Sequence, residues 1–455
     1  MKLHSKSFLF IALSILILVL AACGGDKKTS GDNEGNNNQN NEQNEGNNEG
    51  NNEVEDDGET YDLGGRTIKL NFHADMTPQE GTETGDLAVQ KWKEVEEKYN
   101  VTIEWTEIPY DEKIDHLTTT VLAGEPFADL VRMDPSQAAS LAQEELILPL
   151  DDFIDMSQSK MSEPAKESGR VNPDGKVYMM DTLRSFSSGG GMFYNKTMFE
   201  NAGLEDPYEL VQKGEWTWEA MLDAAKALTT GDQYGMAADP NTLAEYLILS
   251  NDTYILDTES GEVVMDDPHT VEALEFMADL YNVHNVIKPN DRSSNWEDPP
   301  VFFNEGLVGM VHGETWESSE ERQEAPFDWG YVYWPIGPNA TEYGALKKSG
   351  GGYTIPVGVE DPEIVYQIWE DLQIWEYERE SEVSNFENIF PNQESVDIAT
   401  QMLDNVKESK WKLYNLSDAF YGTFDAIMTG DESPAQAVAK VKPEAQARVD
   451  EFLGK

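Results

Sequence analysis

Carboxylates and aromatic rings are the side chains best able to do chemistry in this sequence, because the usual catalytic patterns are missing. The 455 residues include 87 acidic side chains, 11 Trp and 18 Tyr, but only six His and one Cys. We find no Gly-x-Ser-x-Gly elbow, no His-Glu-x-x-His motif, no Gly-x-x-x-x-Gly-Lys phosphate loop and no dinucleotide fingerprint. The sequence therefore predicts no cofactor and no metal site, although so many carboxylates leave glycosidase chemistry open.

Polar side chains follow the ends of two strands predicted near the start of the chain. His73 and Asp75 come after the first strand, and Asp134 and Ser136 come after the third. In mostly parallel sheets, ligands bind beyond the carboxyl ends of the strands. We therefore expect these four side chains at a binding cleft. For Asp134 the alternative is that it caps the next helix.

The elements that must position these residues alternate between strand and helix, which predicts an α/β fold. A first block has strands at residues 67–72, 101–108 and 128–131, with helices over 87–99 and 110–123. A second block begins near Gly191, with strands at 192–194, 234–238 and 307–311 and helices at 196–202, 218–228, 242–250 and 268–283. A strand at 353–355 and a helix at 362–377 predict a return to the first block, before three or four closing helices.

Local signals sharpen two of these boundaries and indicate one further turn. Thr217 is a predicted N-cap, and Gly203 is predicted to end a helix. Residues 257–262 are weakly similar to a calcium loop, but their pattern favours a hairpin turn.

The charge of the chain disfavours several classes of partner. The formal net charge is −55, whereas nucleic-acid phosphates and anionic lipids both attract clustered Lys and Arg. Residues 66–455 hold 75 acidic and 28 basic side chains, a net charge of −47. This charge is typical of a saline or alkaline exterior, or simply of an acidic member of its family. A strongly anionic ligand is disfavoured, unless a few local Lys or Arg residues reverse the balance.

The first 65 residues are typical of a lipoprotein. Two lysines precede an uncharged apolar run at residues 8–22, which is too short to span a bilayer as a helix but suits a signal peptide. The run ends in Leu-Ala-Ala-Cys-Gly, similar to a bacterial lipobox, and holds the single cysteine, Cys23. We predict a signal peptide at 1–22, a lipidated Cys23, and a disordered acidic tether of Asn, Glu and Gly to residue 65. The alternative is an ordinary Cys after an uncleaved anchor.

Six segments, in order along the chain, carry a family resemblance. They are AGEPFADLV at 123–131, GMFYNKTMF at 191–199, AGL at 202–204, WTWE at 216–219, FNEGLVGM at 303–310 and PIGP at 335–338. Together they resemble family 1 extracellular solute-binding proteins, the carbohydrate-binding subunits of bacterial ABC importers. The resemblance implies a two-lobed periplasmic-binding-protein-like fold of type II, in which each lobe is a sheet flanked by helices and ligand binds in the cleft between lobes.

The resemblance also implies lobe ranges and ligand contacts. The first lobe would comprise 66–187 and 347–394, and the second lobe 188–346 and 395–455. Trp316 matches the stacking tryptophan of sugar-binding relatives and follows a buried strand. Further candidates are Glu314 beside it, Asp239 and Asn241 after a second-lobe strand, Ser188 where the chain first crosses between lobes, and Phe420 and Tyr421 on a late helix.

The implied function is that of a solute-binding protein, anchored by lipid at Cys23 to the extracellular face of the cell membrane of a Gram-positive bacterium. It would act as a monomer without enzymatic activity, capturing a carbohydrate, expected to be an oligosaccharide, and delivering it to an ABC-transporter permease. One alternative is a surface glycoside hydrolase or polysaccharide-processing enzyme. The other is a sugar sensor or adhesin on the same fold.

Overall fold

The computed structural model describes residues 61–72, 75–81, 83–110, 112–180, 190–289, 298–318, 325–348, 351–374, 378–414 and 416–455. The predicted signal peptide, the tether to residue 60, Cys23, His73 and Ser188 lie outside these residues. In the described part of the chain, no helix has the length and hydropathy needed to cross a membrane.

Short strands of the described residues form two main sheets and a small hairpin. They are β1 Arg66–Phe72, β2 Val101–Glu107, β3 Leu130–Met133, β4 Gly190–Asn195, β5 Tyr234–Ala237, β6 Leu256–Asp257, β7 Glu262–Val263, β8 Val308–Glu314, β9 Trp329–Val332, β10 Ala345–Lys348, β11 Gly352–Thr354 and β12 Val406–Ser409.

Helices cover the sheets and close the chain. They are α1 Glu83–Tyr99, α2 Lys113–Leu122, α3 Pro135–Gln143, α4 Glu163–Ser168, α5 Lys196–Ala202, α6 Pro207–Lys213, α7 Trp218–Leu228, α8 Pro240–Ser250, α9 Pro268–Asn282, α10 Asp298–Asn304, α11 Pro362–Asp371, α12 Glu378–Ile389, α13 Gln393–Met402, α14 Ser417–Thr429 and α15 Pro434–Phe452. A short 3-10 helix, Trp411–Tyr414, precedes α14.

The first sheet has the strand order β11-β3-β1-β2. Its strands β2, β1 and β3 are parallel, and β11 joins β3 in the antiparallel direction. Ile68 and Leu70 alternate with polar residues along β1 and pack in one core with Trp369 of α11. Since the three parallel strands end at one edge, the loops after them converge there.

The second sheet has the strand order β12-β10-β4-β8-β5, and β9 pairs with β4. Strand β4 is buried along its whole length, which explains its continuous apolar and glycine run. Large aromatic side chains, including Trp216, Tyr246 and Trp334, are fully enclosed in this core.

Several local predictions are confirmed. The Thr217 hydroxyl accepts the Ala220 N–H at 3.3 Å and caps α7. Gly203 ends α5 with φ of 68°, a left-handed conformation that favours glycine. The Asp257 carboxylate accepts backbone N–H groups in the turn between β6 and β7, as the hairpin prediction required.

Several predicted boundaries are wrong by a few residues, and two of them have a clear physical reason. The helix predicted to reach residue 377 ends at Asp371. The prediction extended too far because the apolar residues Leu372 and Ile374 continue the helical spacing after the last helical residue. Strand β8 does not stop before His312 but continues through Glu314, since β4 pairs with it as far as that residue.

Two side chains near the end of the chain contact the cores of both sheets. Leu413 and Phe452 pack against the aromatic core of the second sheet and against the apolar layer that covers β3 of the first. The Gln143 side-chain amide also donates to the Phe452 carbonyl at 3.5 Å. The closing segment therefore connects the two halves of the molecule.

Strand β4 begins where no side chain fits. A Cβ atom at Gly190 would lie 1.6 Å from the Tyr246 hydroxyl oxygen and 2.8 Å from the Leu346 carbonyl oxygen. Tyr246 is fully buried and cannot swing away into solvent. Glycine at position 190 is therefore a steric requirement of the second sheet.

We expect Gly190→Ala to destabilise the fold by about 1–3 kcal/mol, the usual cost of overpacking a closed core. Thermal unfolding followed by circular dichroism measures this change. Gly422→Ala is the matched control, because nothing lies within 4 Å of an added Cβ there. Alanine inside helix α14 should stabilise the protein by about 0.5–1 kcal/mol. Equal shifts of the two unfolding midpoints would contradict the steric argument.

Candidate ligand-binding site

The carboxyl ends of β2 and β3 meet through a hydrogen bond. The Tyr110 hydroxyl donates to the Asp134 carboxylate, and Asp134 begins α3 with its backbone N–H bonded to Gln137 at 3.1 Å. Burial and the carboxylate of Asp134 raise the pKa of Tyr110 well above its usual range. Asp134 is therefore both the N-cap residue and a member of the polar cluster at the sheet edge.

Two cations lie at the same edge of the first sheet. Lys113, the first residue of α2, is 8% exposed, and its Nζ lies 5.1 Å from the centre of the Tyr110 ring. Burial lowers the pKa of Lys113, Asp134 offsets part of this shift, and the charge of Arg132 adds to it. The Arg132 guanidinium lies 5.6 Å from the Phe72 ring centre and 5.8 Å from that of Tyr353.

Strand β8 of the second sheet leads directly to an exposed aromatic ring. Trp316 follows Glu314, the last residue of the strand, and 58% of its surface is exposed. The indole Nε1–H donates to Glu314 Oε2 at 2.7 Å, while the Glu314 backbone N–H donates to Glu317 Oε1 at 2.8 Å. The edge of the ring is thus held while its surface stays open.

A buried aspartate lies against His312 at the same end of the second sheet. Asp239 caps α8 by accepting the Thr242 N–H at 2.9 Å, and its second carboxylate oxygen lies 3.1 Å from His312 Nε2. The Asn241 Oδ1 atom is buried and accepts no hydrogen bond within the described part of the chain. Burial and the charge of Asp239 raise the pKa of Asp425, which approaches this group from α14.

Tyr421 lies near both polar clusters. It is close enough to Tyr110, at the edge of the first sheet, that a Tyr421 phenolate would raise the pKa of Tyr110. It also acts on Lys412, whose Nζ lies 3.6 Å from Glu245 Oε2. Burial lowers the pKa of Lys412, but Glu245, Tyr421 and Glu314 together raise it above its ordinary value. Tyr421 therefore stands within electrostatic reach of groups from both sheets.

The other predicted site residues have different surroundings. Asp75 is exposed and accepts the Thr77 N–H and hydroxyl in a turn of its own, and Ser136 is half-buried in the first turn of α3. Phe420 is completely buried against Trp411, with ring centres 5.2 Å apart, so it belongs to the core and cannot face a ligand. The candidates His73, Ser188 and Cys23 lie outside the described residues.

Sequence reasoning missed several polar members of the site. They are Lys113, Arg132, Glu245, His312, Lys412 and Asp425. The proximity of Lys113 and Arg132 to a strand end was a usable signal, since β2 and β3 end beside them. The helical residues Glu245 and Asp425 carried no such signal. Among the described residues, no group of three or more His, Cys, Asp or Glu side chains could hold a metal ion.

The raised pKa of Asp425 predicts a pH-dependent effect on stability. A carboxyl whose pKa is higher in the folded state than its ordinary 3.8 holds its proton better when folded. The free energy of unfolding therefore falls as the pH rises from the ordinary pKa of 3.8 to the higher pKa of the folded state. Asp425→Asn should raise the thermal midpoint at about pH 8, and the gain over the natural protein should shrink at about pH 4. Asp223→Asn, at an exposed position of α7, is the control, and an equal gain at both pH values would contradict the prediction.

Comparison with known proteins places the chain in a family. Residues 91–368 match the profile of bacterial extracellular solute-binding proteins. A protein of Brucella abortus (strain 2308) described as a binding protein is 26% identical over 60% of this chain and 62% of its own length. An arabinooligosaccharide-binding protein of Halalkalibacterium halodurans is 23% identical over 59% of this chain and 58% of its own length. The chain thus spans about three fifths of the length of the curated relatives it matches.

A solved structure shares the fold. The ABC substrate-binding protein of Listeria monocytogenes in complex with cycloalternan has a TM-score of 0.61, with 18% identity over 87% of this chain and 100% of that chain. This likeness confirms the predicted two-lobed α/β fold. Because the matched profile covers more than half of the sequence, the chain belongs to the family of bacterial extracellular solute-binding proteins.

Proposed function

We propose that this protein binds a carbohydrate between its two lobes. The observation that carries the proposal is the exposed indole of Trp316, held at its edge by Glu314. Sugars stack their flat C–H patches on aromatic rings and share hydroxyl hydrogen bonds with carboxylates and amides. Trp316 supplies the ring, while Glu314 and the unpartnered Asn241 Oδ1 supply acceptors on the same lobe.

The first lobe offers complementary groups. Tyr110 is 57% exposed at the end of β2 and is held by Asp134. Asp134 and the half-buried Ser136 could share hydroxyl hydrogen bonds with the sugar, as could His73, Asp75 and Ser188. Tyr421 would then contact ligand from the second lobe, next to Tyr110.

The relatives favour an oligosaccharide. One of them is named for arabinooligosaccharide binding, and the structural neighbour from Listeria monocytogenes holds cycloalternan. The open face of Trp316 and the spread of polar groups across both lobes suit a ligand of more than one sugar ring.

Transport by this protein requires no bond to be made or broken. The two lobes would close on the sugar, and the closed form would bind the permease of an ABC importer more tightly than the open form. A lipid at Cys23 would anchor the monomer to the extracellular face of the membrane, and the acidic tether would let it reach the permease. An enzyme with two catalytic carboxylates is the competing function that the binding experiment must also test.

We expect Trp316→Ala to weaken sugar binding by about 10- to 100-fold, because the stacked ring would no longer bury its apolar face. Isothermal titration of the lipid-free domain against an oligosaccharide panel measures the effect. Tyr254→Ala, which removes an exposed aromatic ring of the same lobe, is the matched control.

The same mixtures should be assayed for released sugar. Binding without product supports a transport protein, whereas turnover at low protein concentration would show an enzyme. If Trp316→Ala and Tyr254→Ala bind equally well, Trp316 is not part of the site.

Lipidation can be tested separately from sugar binding. Cells fed an alkyne fatty acid should label the natural protein, while Cys23→Ala should lose the label because the thioether cannot form. Ser14→Ala, within the same apolar run, is the control and should remain labelled. Label retained by Cys23→Ala would contradict the predicted anchor.

A further inference from the structure

Lys113 is a buried cation that makes no hydrogen bond or ion pair with the residues that the structure describes. It is 8% exposed, and within the described part of the chain its only polar contact is the face of the Tyr110 ring. Lys166 provides a comparison, because it is 7% exposed but pairs with Glu163 at 2.8 Å. The folded part of this chain has many carboxylates available as partners, so an unpaired buried lysine is unusual.

Such an arrangement costs stability. An ammonium group removed from water loses its hydration, and only a partner in the protein or in a ligand can replace it. Lys113 also begins α2, so the partial positive charge of the helix N-terminus lies at the same place. The position is therefore favourable for an anion and unfavourable for the cation alone.

A second cation lies within reach of Lys113. Tyr353 of β11 lies opposite Arg132 of β3 in the strand register. Phe72 is the last residue of β1, which pairs with β3 on its other side. The Arg132 guanidinium thus lies between two aromatic rings at the edge where β1 and β3 end. Asp134 is the described carboxylate that acts on Lys113, and it already accepts the Tyr110 hydroxyl.

We infer that the cleft binds an acidic saccharide, whose carboxylate is held by the Lys113 ammonium beside Arg132. This inference rests on the proposed carbohydrate function and specifies its ligand class as sugars bearing a carboxylate, such as uronic acids. Charge-assisted hydrogen bonds to a carboxylate are stronger than those to a neutral hydroxyl. The ammonium would gain in the complex an ionic partner that the described residues do not supply.

The negative charge of the whole chain does not prevent this binding. Charges farther apart than about 8 Å are largely screened at physiological salt, so the surface carboxylates act weakly on the site. The local groups decide the interaction, and Lys113 and Arg132 place two cations there.

The test compares acidic oligosaccharides with their carboxyl-reduced counterparts, which differ only in that a neutral CH₂OH group replaces each carboxylate. The probes are oligogalacturonides and glucuronic-acid-branched xylo-oligosaccharides, titrated by calorimetry against the lipid-free domain. We expect at least one acidic member to bind about 10- to 100-fold more tightly than its reduced counterpart. Equal affinity would overturn this inference and leave the carbohydrate proposal standing. Failure of every acidic and neutral sugar to bind would overturn both.

Variants of Lys113 provide the second part of this binding test. Lys113→Met should abolish the preference for the acidic member, and Lys113→Arg should retain most of it. Lys93→Met removes an exposed lysine of the same lobe and should change the affinity by less than about twofold.

Thermal unfolding of the ligand-free variants separates binding from a structural role. Lys113→Met should raise the midpoint, because it removes an unpaired buried charge. A lower midpoint together with an unchanged preference for the acidic sugar would show that Lys113 supports the fold and would overturn the inference.

Discussion

The close contact between the backbone of β4 and the Tyr246 hydroxyl is the constraint on which the second lobe's site depends. In the ladder between β4 and β8, Gly190 lies opposite Glu314 and Met192 lies opposite His312. The Tyr331 hydroxyl also donates to the Gly313 carbonyl at 3.1 Å. These contacts fix the register between β4 and β8. Glu314 and then Trp316 therefore lie at a defined edge of the sheet.

Two aspartates show how the site uses the ends of helices. Asp239 accepts the Thr242 N–H in the first turn of α8 with one carboxylate oxygen and approaches His312 with the other. Asp134 likewise begins α3 while accepting the Tyr110 hydroxyl. Helix capping and membership of the polar cluster are therefore compatible roles. A carboxylate fixed by a helix end also loses little conformational freedom when a ligand binds.

Much of the fold was predictable from sequence because its signals are local. Apolar periodicity located the four strands of the first sheet and strands β4, β5 and β8 of the second, but it missed β9, β10 and β12. Thr217 and Gly203 marked helix ends through their own backbone preferences. The pair Phe420 and Tyr421 shows the limit of such signals. Neighbouring residues on a helix point about 100° apart, and packing against Trp411 decides which of the two enters the core. Lys412 was missed because its surroundings, such as Glu245, come from segments distant in sequence.

Leu413 and Phe452 couple the two lobes energetically. Each packs against apolar residues of both lobes, so melting one lobe would expose part of the surface that stabilises the other. The two cores thus share some of their hydrophobic free energy, which favours cooperative unfolding of the described chain over the independent melting of two halves.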